Sequence, residues 1–178
     1  VTGIDLLPFR LSDAAKRAEE HGVSDAVQFV LMDAMQLAFE DNTFDFIVSK
    51  SVLVFTDHQR AAEECYRVLK PGGKAMFAEN MRNHPAAWLY RKIFLRYSTN
   101  LHYFSIADIT RFGTNFDQVE HREFHFLSVL ALLWKNLLPP ALYRLKLKNL
   151  RMIDKGLLKL CPPLKHFCWI TAVICKKT

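Results

Sequence analysis

Glycine is scarce in this 178-residue chain: six occur, and none builds a Gly-rich loop between a strand and a helix. That excludes a phosphate-cradling loop, which needs backbone N–H groups free of side chains at a helix N-terminus. Cysteine is equally sparse. Cys65, Cys161, Cys168 and Cys175 form no Cys-x-x-Cys pair and have no histidine at zinc-finger spacing, so neither a metal site nor a disulfide framework is expected. No basic stretch precedes the apolar start at 1–7 and no small-residue cleavage site follows it, so no signal peptide is read and a reduced, cytoplasmic setting is expected. Long apolar runs are missing too, since the run at 129–134 stops at Lys135 and Asn136, too short for a bilayer span. No internal repeat is present.

What the chain does have is apolar mass, 51% hydrophobic residues against 24% charged, enough to offset the entropy of ordering one domain over 1–178. Its charge is unevenly placed. Residues 127–178 hold ten Lys/Arg and a single acid, Asp154, so the net +6 is a balance between an acidic front and a strongly basic tail. Basic and apolar residues alternate there, as suits an anionic surface better than a sequence-specific nucleic-acid site, and no nucleic-acid partner is expected.

Strand and helix patterns alternate in the first half. Strands are expected at 1–5, 27–32, 44–49 and 74–79, with helices over 8–21 and from an Asp57 cap to Leu69. This predicts an α/β fold, a parallel sheet with helices on both faces. The second half predicts helices at 84–97 and 105–112, a strand at 119–126, an apolar helix at 127–138, a basic amphipathic helix from Pro139-Pro140 to about Leu160, and a last strand at 167–175. The final two strands are expected to pair antiparallel at the sheet edge.

An acid at the carboxyl end of a strand in an open α/β sheet can accept from a ribose diol, and Asp5 is so placed. Asp33, one strand later, can accept from an adenine amino group. Taken singly, Asp5 also reads as a helix-capping residue and Asp33 as a turn residue.

The segments Phe44-Asp-Phe-Ile-Val-Ser-Lys-Ser-Val-Leu53 and Glu64-Cys-Tyr-Arg-Val-Leu-Lys-Pro-Gly-Gly73 resemble class I S-adenosylmethionine (SAM) dependent methyltransferases of the ubiquinone/menaquinone-biosynthesis type. The resemblance implies a Rossmann-like sheet and SAM as cofactor. It assigns Asp5 to the ribose, Leu6 to the adenine, Asp33, Ala34 and Met35 to the adenine-contacting turn, and Ser49 and Lys50 to the methionine end. Residues 1–82 then form the cofactor-binding part, 83–165 the substrate-side helical inserts, and 166–178 the last strand. The front departs from that pattern, because the first strand and its Gly-rich loop are lacking; a truncated sequence with a gap in the sheet is expected.

Methyl transfer from a sulfonium rests on alignment and desolvation, so no general base is required and no catalytic residue is assigned. His84, His102 and Tyr103 are the candidates from the inserts, and each equally reads as a surface or packed residue. In enzymes that this chain resembles such an insert builds the substrate site, which implies a small apolar or lipid-like acceptor, with peripheral membrane contact through the basic C-terminal part; the same stretch also reads as an apolar face packed on the sheet with its lysines in water. The competing readings are a nicotinamide-dependent dehydrogenase, which leaves Asp33 and residues 67–73 unexplained, a non-catalytic methyltransferase-like module, and a nucleic-acid methyltransferase, for which no base-flipping motif is found.

Overall fold

The computed structural model describes residues 1–94 and 101–178; the end of the helix expected at 84–97 lies outside them. Two parallel strands open the chain, β1 (Thr2–Asp5) and β2 (Gln28–Leu31), joined by helix α1 (Pro8–Glu20). Pro8 occupies the first helical turn, where its missing N–H costs nothing. There follow β3 (Phe44–Lys50), α2 (His58–Val68), β4 (Leu69–Asn80), α3 (Pro85–Phe94), α4 (Ile106–Gly113), β5 (Gln118–Phe124), α5 (Pro140–Leu160) and β6 (Ile170–Lys176).

The strands make two sheets, β1-β2 and β3-β4-β6-β5, with no pairing between them among the described residues. This is the gap that the sequence led us to expect. The edge strand β3 leaves Phe46 and Val48 exposed, Val48 at 60%. β5 and β6 pair antiparallel, as the alternation of 119–126 and 167–175 predicts.

Helix α2 starts at Asp57, whose carboxylate accepts from the N–H groups of Gln59 (2.9 Å) and Arg60 (3.2 Å). Its buried residues, Ala61, Ala62, Cys65 and Val68, recur at helical spacing and face the sheet. Ala75 and Phe77 of β4, with Val173 and Cys175 of β6, meet them and the α4 residues Ile109 and Phe112. Residues 70–73 form a bulge inside β4, with a register shift opposite Phe44/Phe46. Gly72 takes φ +81°, and a Cβ on Gly73 would stand 2.8 Å from the Lys70 carbonyl oxygen.

One expected element is different. The apolar helix at 127–138 is a short 3-10 segment, Ser128–Trp134. The Asp154 carboxylate of α5 takes the N–H groups of Phe126 (3.1 Å), Leu127 (2.7 Å) and Ser128 (3.1 Å), and His125 before them is left-handed (φ +62°). The backbone bonds that follow this entry close three-residue turns, as from the Leu130 N–H to the Leu127 carbonyl (2.9 Å), so the segment winds tighter than an α-helix and stays short. Ser105 caps α4 with a reciprocal bond to Asp108.

Arg67, near the end of α2, ties the two-sheet arrangement together. Its guanidinium donates to Glu64 (2.8 and 2.9 Å), to Asp41 (2.8 Å), and to the carbonyls of Leu37 and Phe39 (both 2.7 Å). These bonds hold the Glu64 carboxyl below its ordinary range. Arg67→Ala is expected to cost about 2–3 kcal/mol, a fall of roughly 5–10 °C in Tm. A carboxyl with a depressed pKa stabilises the fold above its unfolded value, so the difference between parent and variant should narrow as pH falls through that range in thermal melts.

Candidate functional site

The carboxyl ends of β1 and β2 lie side by side, Asp5 opposite Leu31 in register. Asp5 Oδ1 accepts from the Leu7 N–H at 2.9 Å, while Oδ2 has only a long ion pair with Arg10 at 4.0 Å. One carboxylate oxygen fixes the turn after the strand, and the side chain is 29% exposed. Asp33 repeats the device: Oδ1 accepts from the Met35 N–H at 2.8 Å, forming a tight Asx turn. Leu6 is exposed, and Ala34 and Met35 are half-buried. The Met35 sulfur accepts from the Asp57 N–H at 3.2 Å, linking this turn to the start of α2.

Ser49 and Lys50 end β3 in the other sheet. The Ser49 hydroxyl is buried with no partner, and Lys50 is exposed. The structure thus brings Asp5, Leu6, Asp33, Ala34 and Met35 into one neighbourhood. Among the described residues, no hydrogen bond or ion pair joins them to Ser49 or Lys50.

The three insert candidates have structural duties. His84 is buried, its Nε2 against the Phe126 carbonyl (3.1 Å) and its Nδ1 accepting from the Ala87 N–H at the start of α3. Tyr103 lies under the Arg91 guanidinium, 3.8 Å from the ring centroid. His102 is exposed and reaches the Thr56 carbonyl with its ring (3.4 Å), while its own carbonyl meets the ring of His58 (3.0 Å).

Sequence reasoning missed Glu79. It is fully buried at the end of β4, and its Oε1 accepts from the N–H groups of Val52 (3.1 Å) and Leu53 (3.2 Å). Asn80 beside it donates to the hydroxyl of Ser51, a residue held at φ +55°. The two side chains shape the loop that follows Ser49 and Lys50. Burial pushes the Glu79 carboxyl up to about 7, against the lowering effect of those backbone N–H groups. Its position at a strand end, one residue before Asn80, was the available signal.

A nucleoside-bearing cofactor fits the first neighbourhood. Two carboxylates at adjacent strand ends, an apolar side chain at Leu6 and a half-buried wall at Ala34 and Met35 are groups that would hold a ribose diol and an amino-substituted base. The partnerless Ser49 hydroxyl is a further polar group in want of a ligand or neighbour.

Residues 1–77 match the family model described as a methyltransferase domain. A ubiquinone/menaquinone biosynthesis C-methyltransferase from Ruegeria sp. is 43% identical over 79 residues, which cover 44% of this chain and 32% of that protein. The match therefore spans about a third of the length of that curated relative. The crystal structure of geranyl diphosphate C-methyltransferase from Streptomyces coelicolor superposes on 100% of this chain and 65% of its own, with TM-score 0.67 and 15% identity. The [4+2]-cyclase SpnF superposes on 99% of this chain and 66% of its own, with TM-score 0.62 and 21% identity. The likeness to methyltransferases by sequence covers residues 1–77, and the likeness to the two solved structures is one of fold.

Protonation of Glu79 generates a prediction. A group whose pKa is raised on folding contributes its stability in full below the unfolded value and loses it as pH rises through the folded one. Parent stability should decline from about pH 4.5 to about 7 through this group. Glu79→Gln, with no proton to lose, should flatten that part of the profile in melts recorded against pH; an unchanged slope would remove Glu79 as its source.

Proposed function

We propose that a chain with this methyltransferase-domain sequence and fold is a SAM-dependent methyltransferase acting on a small apolar or lipid-like acceptor. The observation that carries the reading is the pair of carboxylates, Asp5 and Asp33, that follow adjacent parallel strands, each with one oxygen outside its turn hydrogen bond. In it, Asp5 Oδ2 accepts from the cofactor's ribose hydroxyls and Asp33 from the adenine amino group. Leu6, Ala34 and Met35 form the apolar surround, and Ser49 and Lys50 line the methionine end. SAM supplies an already activated methyl group, so the chain's part is to orient the two reactants and exclude water. The curated relative's role in quinone biosynthesis and the prenyl chain of geranyl diphosphate both support an apolar acceptor.

Calorimetric titration of SAM tests the cofactor site. Asp5→Ala should weaken binding by about tenfold or more, the loss typical of a charged hydrogen-bond acceptor. Undiminished binding would refute the assignment of Asp5. Methylation of a prenylated hydroquinone tests the acceptor class. A second reading, a non-catalytic module of the same fold, draws on the two unpaired sheets, and absence of SAM binding by the parent chain would favour it.

The acceptor's nature goes with a peripheral site on an anionic membrane. Helix α5 leaves Leu142, Leu145, Met152, Ile153 and Leu160 exposed, beside Arg144 and Lys148. Among the described residues no helix is long and apolar enough to cross a membrane. The chain is expected to co-sediment with phosphatidylglycerol vesicles at low salt and not with phosphatidylcholine vesicles. The pair Leu145→Glu and Met152→Glu should abolish it, whereas binding indifferent to lipid charge and to these changes would overturn the assignment.

A further inference from the structure

Away from the strand ends, β5, α5 and the 3-10 segment Pro162–Phe167 border a cavity of about 680 Å3, within the range of small-molecule sites. Its wall is rich in basic side chains. Arg122, Arg151, Lys155, Lys159 and Lys165 line it, joined by the imidazoles of His121 and His125. The α5 members continue a stripe, Arg144, Lys148, Arg151, Lys155 and Lys159, whose spacings of four, three, four and four residues place them on one helix face. A shallower groove of about 380 Å3 runs along that stripe between Arg144 and Lys155. The cavity therefore opens onto a surface that draws anions toward it.

Two carboxylates sit in the same wall, both buried, and they differ in one respect. The charge of Asp154 is used within the fold, on the N–H groups of residues 126–128. Glu123, whose side chain is 1% exposed, has Oε1 engaged by His121 and by the Thr171 hydroxyl at 3.4 Å. Its Oε2 has no hydrogen-bond partner, and the Lys165 ammonium stands 4.0 Å away. A buried acceptor without a hydrogen-bond partner, on a residue that lines a cavity, calls for a donor from a ligand. The surrounding lysines and arginines call for an anion with several acceptor oxygens.

We propose that this cavity binds a phosphate ester that carries a hydroxyl group, the phosphate held among Arg151, Lys159 and Lys165 and the hydroxyl donating to Glu123 Oε2. Leu158 and Phe124 supply apolar walls for the carbon skeleton. The site is separate from the carboxylates at the ends of β1 and β2, so it stands or falls independently of methyl transfer.

The test is calorimetric titration of glycerol 3-phosphate and of inorganic phosphate into the whole chain. Saturable binding is expected, tighter for the ester. Lys159→Ala and Lys165→Ala change partly or fully exposed side chains and should each weaken it about tenfold. Glu123→Gln, checked by thermal melting, should erase the preference for ester over inorganic phosphate. Lys146→Ala, whose ammonium lies over Trp134 outside the cavity, should bind as the parent does. Absence of saturable binding, or equal losses at Lys146 and Lys159, would overturn the proposal. Competition identifies the source: phosphatidylglycerol vesicles that displace glycerol 3-phosphate mark a lipid headgroup, and vesicles that leave it bound mark a free ester.

Discussion

The arrangement hangs on a guanidinium. Since β1-β2 and β3-β4-β6-β5 share no backbone ladder among the described residues, the segment that bears Asp5 and Asp33 must be fixed by other means. Arg67 does it with a planar fork that reaches two carboxylates and two backbone carbonyls at once, which a lysine ammonium cannot match in geometry. Lys177 completes the join from the other side. Its ammonium accepts no bonds and donates to the carbonyls of Tyr66 (2.9 Å) and Leu69 (2.8 Å) and to Asn42 (2.9 Å), satisfying the end of α2 where it turns straight into β4. An edge contact between Phe39 and Phe44, ring centroids 4.9 Å apart, adds an apolar element to the same seam.

Buried acids mark the other constraint. Glu79, Thr171 and Glu123 stand opposite one another on neighbouring strands, a polar row across β4, β6 and β5 on the face that buries Phe77 and Val173. An apolar row there would pack at less cost in desolvation. Each acid instead does local work: Glu79 holds the loop after β3, and Glu123 orients His121. Asp154 does the same for the chain entering the 3-10 segment. The sheet's interior is thus organised by carboxylates as much as by its aromatic cluster.

Local signals are legible in the sequence. Asp57 and Ser105 stand at helix starts as their side chains imply, Pro139-Pro140 opens α5, and the alternation at 119–126 becomes β5. Asp5 and Asp33 fall where an acid after a strand is expected to fall. What was illegible depended on distant partners. The apolar run after Leu127 looks helical, and nothing in its own pattern shows that it winds into a short 3-10 segment entered through N–H groups that Asp154 of α5 holds. His84 looks like a candidate base until it is seen receiving the Ala87 N–H. Glu79 and Arg67 were visible as residue types, and their importance lies in loops folded back over them from as many as thirty residues away.

The position of β6 bears on how the chain reaches this state. It lies between β4 and β5, yet comes later in the sequence than both. The pairing of β4 with β6 must close a loop of some ninety residues before the sheet's middle exists. Chains dominated by such remote pairings assemble slowly. Until β6 inserts, one edge of β4 stands open, and the molecule in that interval is a substrate for chaperones and for itself, prone to associate through the edge it has yet to cover.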